Sequence, residues 1–192
     1  LDQPSTPGKI RNSNMYMLAA LVAECGGEPV RLPVARDTLD DVRQAFEAAL
    51  DHQPDMIISS AGVSVGTHDV VRAVVNMIGH VDLWRVNVRP GKPLAFGQVQ
   101  GVPFFGLPGN PVSAMVTFDI FARPALLRQM GHRQDTTPVT QAVLGETLRS
   151  DGRRTYARVR LEQRDDGTLV AYSTGTQSSG ALMSMVLADG LL

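Results

Sequence analysis

Cysteine is almost absent from this chain: Cys25 is the one thiol in 192 residues. An intrachain disulfide and a cluster of several thiolates around a metal are therefore both excluded, and the composition suits a reducing compartment. Cys25 itself reads as a packed helix residue. Charge of one sign is lacking as well. The formal net charge is -1, with no long acidic or basic block, which argues against a nucleic-acid groove or a surface for anionic membranes; any anion site must be local. No apolar run approaches the roughly 20 residues that span a bilayer, and the chain does not open on the basic and apolar regions of a secretory signal. Internal repeats and low-complexity tracts are missing too. His52, His68, His80 and His132 are scattered without metal-ligand spacing. These absences point to a soluble, cytoplasmic protein that acts on small molecules, with neither nucleic acid nor membrane as partner.

What is present is enough apolar sequence, 43%, for one medium domain and a small one. Two glycine-rich turns dominate it. Ser59-Ser60-Ala61-Gly62-Val63-Ser64-Val65-Gly66 follows a short apolar run, and Gly106-Leu107-Pro108-Gly109-Asn110-Pro111 follows another. Each reads as a strand handing over to a loop and then a helix. At such a junction backbone N–H groups are free and glycine lets the main chain approach a ligand closely, so phosphate esters and other anions bind there.

The remaining elements follow from caps and periodicity. Asn12-Ser13-Asn14 offers N-caps for a helix with apolar positions at Met17, Leu18, Leu21 and Val22, stopped by Gly26-Gly27. A short strand is expected over 29–34. Thr38 caps a second helix, with Asp41 three residues on and Val42, Ala45, Phe46, Ala49 and Leu50 facing inward. Met56-Ile57-Ile58 is the continuous apolar run of a strand buried on both faces. A helix over 69–77, a strand over 83–88, a hairpin (94–99 and 103–107, turning at Gln100-Gly101) and a long helix over 111–130 complete the pattern. Pro111 suits the first turn of that last helix and Gly131 its end.

This alternation predicts an α/β domain over residues 1–133, a three-layer, doubly wound, mostly parallel sheet. In such sheets ligands sit beyond the strand C-termini, which places both glycine turns at one edge and one crevice between them. After Arg133 the texture changes to short strand-like runs at 139–148, 155–163 and 169–173, split by Asp151-Gly152 and Asp165-Asp166-Gly167. Residues 134–192 are expected to form a small, barrel-like β domain.

At Gly8-Lys9-Ile10-Arg11-Asn12-Ser13-Asn14, at 59–69, at Arg89-Pro90-Gly91-Lys92-Pro93 and at Leu107-Pro108-Gly109-Asn110-Pro111-Val112-Ser113, the sequence resembles the molybdopterin molybdenumtransferase family. That family carries out the last step of molybdenum cofactor assembly and includes the E domain of gephyrin. The resemblance runs nearly end to end and implies the family's third domain, its first strand missing, and part of its fourth. An internal fragment is therefore expected. Family members act as homodimers on adenylylated molybdopterin and molybdate, placing molybdenum on the dithiolene sulfurs and hydrolysing the adenylate with Mg²⁺. Contact with the molybdopterin adenylyltransferase is a further expected partnership.

The residues can be set against that demand. Ser60, Gly62, Ser64, Gly66, Pro108, Gly109, Asn110, Pro111 and Ser113 would surround the phosphate and pyrophosphate with neutral donors on a rigid frame. Asp37 and Asp69 read as helix caps; the resemblance adds a role in holding Mg²⁺ and assisting catalysis. Arg85 and Arg89 alternate with apolar residues as on one strand face, and with Lys92 and Pro93 they form the expected cationic part of the ligand site. For molybdate the resemblance implies Lys92 with Arg153, Arg158, Ser178 and Ser179, since a tetrahedral oxyanion asks for convergent cations and hydroxyls. Ala61 departs from the family, where glycine is frequent. Two other readings stay open: a molybdopterin adenylyltransferase, which usually ends with its α/β domain, and a non-catalytic molybdopterin-binding scaffold.

Overall fold

A computed structural model describes residues 11–62, 70–133 and 138–192. Its first sheet has four strands: β1 (Ile57–Ser60), β2 (Gly79–Arg85), β4 (Pro93–Val99) and β5 (Val102–Leu107), in the order β1-β5-β4-β2. The parallel pairing is β1 with β5, in register Ser60 to Leu107, while β4 runs antiparallel to both β5 and β2. The sheet is thus mixed. The β4–β5 hairpin turns at Gln100 and Gly101, both at positive φ, as the turn chemistry predicts.

Helices cover both faces. Helix α1 (Asn14–Glu24) and the helical stretch that starts with α4 (Pro111–Thr117) and ends with α5 (Arg123–Gln129) pack against Leu94, Phe105 and Leu107. On the opposite face α2 (Leu39–Asp51) and α3 (Val70–Ile78) enclose Ile57, Val99 and Phe104. Adjacent residues Phe104 and Phe105 therefore feed different cores, the period-two consequence of a strand buried on both sides. Thr38 caps α2 as predicted, its hydroxyl accepting from Asp41 N at 3.2 Å.

Several sequence expectations need correction. Residues 29–34 form no strand: Pro29 and Pro33 lack ladder donors, and Val30 and Val34 are 58% and 71% exposed. The 111–130 helix is interrupted by a π-helical turn, Phe118–Ala122. Asn12 Oδ1 does accept from Met15 N at 3.1 Å, but Asn14 is the first residue of α1 and its side chain turns inward. Arg85 and Arg89 do not share a strand face. Arg85 ends β2, whereas Arg89 lies in β3 (Val88–Arg89), which leaves this sheet to pair parallel with β7 (Arg154–Thr155) of the following unit.

That unit is β-rich. β8 (Arg158–Gln163) and β9 (Leu169–Ser173) form a hairpin, flanked by β10 (Gly190–Leu191) and β6 (Val143–Leu144), in the order β10-β8-β9-β6. The expected strand over 139–148 is thus reduced to two residues, and 155–163 is broken between Thr155 and Arg158. Beyond β3·β7, Tyr156 N donates to Arg89 O at 2.7 Å and Val112 N to Ser179 O at 3.2 Å, so main-chain bonds join the two units. Among the described residues no helix is long and apolar enough to cross a membrane.

Candidate functional site

The parallel β1–β5 pair brings the two glycine turns together. Ala61 N donates to Leu107 O at 3.0 Å, extending the register one residue beyond β1. Ala61 and Gly62 then take φ of 71° and 75°. Glycine tolerates that region freely, but Ala61 holds it against a steric cost of roughly 1–2 kcal/mol. Across the gap, a Cβ built on Gly109 would lie 3.3 Å from the Ala61 methyl. Ala61, Gly62, Pro93, Pro108, Gly109, Asn110 and Ser113 line the resulting pocket of about 290 Å³.

The side chain that sets this gap belongs to α1. Asn14, 9% exposed, donates from Nδ2 to Ser60 Oγ at 2.7 Å and to Gly109 O at 2.8 Å. Ser60 Oγ donates in turn to Pro108 O at 3.2 Å. Ser60 therefore joins the two turns instead of facing the pocket. The sequence marks Asn14 as a cap candidate; nothing local reveals that it reaches both turns.

A second pocket, about 420 Å³, adjoins the first and shares Pro93, Asn110 and Ser113 with it. Its other walls are Arg89, Pro90, Gly91 and Lys92 from the α/β unit and Arg153, Gln177, Ser178 and Ser179 from the β-rich unit. Asn110 Nδ2 donates to Ser179 Oγ at 2.8 Å, closing the seam between them. Arg89 and Arg153 are held by Asp151, whose carboxyl is lowered from 3.8 to about 2, chiefly by its hydrogen bond from Arg153 and also by the charge of Arg89. Three cations and three serines thus line this pocket, a donor set suited to a compact oxyanion.

Arg158 is not part of this wall. It is 1% exposed, with Nε donating to Ser184 Oγ at 3.1 Å and Nη2 to the carbonyls of Ser178 and Thr176 at 3.2 and 3.4 Å. Burial, with the charge of Arg89 nearby, lowers its pKa. Its role is to hold the segment that presents Ser178 and Ser179. Gln177 adds to that hold, accepting from Arg158 N at 2.9 Å and donating to Arg158 O at 3.1 Å; no sequence signal singles it out.

The other expected residues separate. Arg85 is exposed at the end of β2 and Pro111 opens α4; neither lines the pockets. Asp37 is exposed just before the Thr38 cap and is likewise absent from both walls. Ser64, Gly66 and Asp69 lie outside the described residues. Among the described residues no group of three His, Cys, Asp or Glu side chains could hold a metal.

The fold and these walls define a class: an α/β domain with a pocket at the ends of two parallel strands and a β-rich unit that completes a second pocket beside it. A family model described as "Probable molybdopterin binding domain" matches residues 3–128, and one described as "MoeA C-terminal region (domain IV)" matches residues 141–192. The chain belongs to the molybdopterin-binding domain family and carries that C-terminal region behind it. It is 39% identical over 199 residues to molybdopterin molybdenumtransferase 2 of Mycobacterium tuberculosis, covering 98% of this chain and 47% of that protein. To the molybdopterin molybdenumtransferase of Haemophilus influenzae it is 33% identical over 186 residues, covering 96% and 46%. The crystal structure of a molybdopterin biosynthesis moeA protein from Pyrococcus horikosii matches with a TM-score of 0.80 at 30% identity, over 100% of this chain and 45% of that one. The chain spans about half the length of the curated relatives it matches.

Proposed function

We propose that this chain is the ligand-binding part of a molybdopterin molybdenumtransferase in molybdenum cofactor biosynthesis. The observation that carries the reading is the pair of joined pockets: one lined by main chain at two strand ends, one lined by cations and hydroxyls, with Pro93, Asn110 and Ser113 common to both. The first suits the phosphate and adenylate of adenylylated molybdopterin, since Gly62 and Gly109 allow close approach to backbone donors. The second suits molybdate, held by Arg89, Lys92 and Arg153 with Ser178 and Ser179. Shared walls would bring the pterin end of one ligand against the other, and that proximity is the main catalytic contribution these residues can make.

In this reading molybdenum is inserted at the dithiolene sulfurs and the adenylate is hydrolysed, releasing AMP and molybdenum cofactor. Mg²⁺ would draw charge from the pyrophosphate when bound, with Asp37 and Asp69 as its proposed carboxylates. Ser64 and Gly66 keep their proposed place in ligand binding, whereas Arg85, exposed at the end of β2 and absent from both walls, does not. The whole protein is proposed to work in the cytoplasm as a homodimer that receives its substrate from an adenylyltransferase. The β-rich unit favours the transferase over the adenylyltransferase reading, because it supplies four polar residues of the second pocket's wall, Arg153, Gln177, Ser178 and Ser179.

Calorimetric titration of the chain tests this reading. Adenylylated molybdopterin should bind saturably and Gly109→Val, which fills the first pocket, should abolish that binding. Molybdate should bind separately and lose affinity at least tenfold with Lys92→Ala. Absence of saturable binding by either ligand would overturn the reading.

A further inference from the structure

Two cations of the second pocket are already paired with an anion of the protein's own. Asp151 Oδ2 accepts from Arg89 Nη1 at 3.2 Å and from Arg153 at Nε, 3.0 Å, and at Nη2. Its Oδ1 accepts from Arg153 N and Nε, both at 3.2 Å. The Nε–Nη2 edge of Arg153, the fork that recognises a planar or tetrahedral anion, is therefore filled. Arg89 comes from β3 and Arg153 from the loop before β7, so one carboxylate joins cations from both units. Among the described residues no other Asp or Glu forms an ion pair with a cation of this pocket. Asp151 is itself 37% exposed at its side chain and has water within reach if it leaves.

Resting on the oxyanion reading of this pocket, we propose that Asp151 is a displaceable internal counter-anion that sets the threshold for anion entry. In the ligand-free protein it occupies guanidinium donors of Arg89 and Arg153; an incoming tetrahedral oxyanion takes those donors over and the carboxylate turns to solvent. The exchange has a direct electrostatic consequence. A singly charged anion that replaces a carboxylate restores the charge that was lost and gains nothing, whereas a doubly charged one adds a second unit of attraction to three cations. Monoanions abundant in solution are thereby kept out, and a dianion such as molybdate enters. Asp151 thus sets an affinity threshold common to all anions, while the preference for a dianion comes from the three cations; it lies beside the residues that line the pocket.

Two tetrahedral probes of similar shape and different charge, molybdate and perrhenate, test the proposal in the present chain, with perrhenate measured by competition against molybdate. Displacement carries the same cost for either probe, so Asp151→Asn should tighten both by the same factor, roughly two- to fivefold for an exposed ion pair. Asp151→Ala should act in the same direction. Asp165→Asn, which makes the same charge change in the turn before β9, should leave both affinities unaltered. Unchanged or weaker binding in both Asp151 variants would show that the carboxylate only positions the arginines and would overturn the proposal. So would a gain for molybdate much larger than for perrhenate, because a carboxylate that stays in place screens a dianion twice as strongly. Failure of molybdate to bind to any of the proteins would instead overturn the oxyanion pocket and the proposal together.

Discussion

Asn14 and Gly109, 95 positions apart, are joined by a 2.8 Å hydrogen bond from the amide Nδ2 to the peptide carbonyl, and the same nitrogen reaches Ser60 Oγ at 2.7 Å. One side chain from α1 thereby fixes the distance between the two turns that form the first pocket. Asn14→Ala leaves a carbonyl and a hydroxyl without that donor and should cost about 1–3 kcal/mol of stability by urea denaturation. Affinity for adenylylated molybdopterin should fall as well. Asn14→Asp, similar in shape but presenting oxygens to two acceptors, should do no better than alanine; full retention of affinity in either variant would refute the tie.

Ala61 and Gly109 are predicted to be coupled. Gly109→Ala alone sets its methyl 3.3 Å from that of Ala61 and should destabilise by roughly 1–3 kcal/mol. Ala61→Gly relieves a left-handed alanine but adds backbone freedom to the unfolded chain, so it should change stability by less than about 1 kcal/mol, in the stabilising direction. In the Ala61→Gly background the cost of Gly109→Ala should shrink by at least half. Additive denaturation midpoints in the double mutant would show that the two residues do not touch.

Arg158 is predicted to govern the oxyanion pocket without forming its wall. Arg158→Met removes the donor to Ser184 Oγ and to two carbonyls, in a site where the replacement can bond none of them, and should cost about 2–4 kcal/mol. Molybdate binding should weaken in parallel because Ser178 and Ser179 lose their support. Arg158→Lys keeps the charge without the fork and should fall between the two. Wild-type molybdate affinity in a folded Arg158→Met protein would contradict this assignment.

Asp151 should leave a signature in acid. Its pKa is lowered from 3.8 to about 2 by Arg153 first and Arg89 in addition. A carboxyl depressed in the folded state contributes stability that is present above its unfolded value and is lost as pH falls through the folded one. Wild type should therefore lose more stability than Asp151→Asn between about pH 4 and pH 2. Parallel denaturation curves for the two proteins across that window would remove the ion pair from the account.

Much of the architecture is legible in short stretches of sequence. The Thr38 cap with Asp41, the turn at Gln100-Gly101, the apolar run into β1 and the two glycine turns are set by forces acting over a few residues, namely capping, positive φ and hydrophobic periodicity. Their placement at one sheet edge follows from strand alternation alone. Three further features were settled only by tertiary structure. Residues 29–34 have the apolar content of a strand but two prolines and no neighbour to pair with. Arg85 and Arg89 share a local alternation, yet β3 leaves the first sheet to pair with β7, so one arginine enters the pocket and the other does not. Arg153 and Arg158 look equivalent in sequence, but one faces the pocket with Asp151 while the other is buried beneath Ser178. Local composition chose the residue types and the turns. Contacts between residues tens of positions apart, which depend on how sheets and helices pack, decided which of those residues meet.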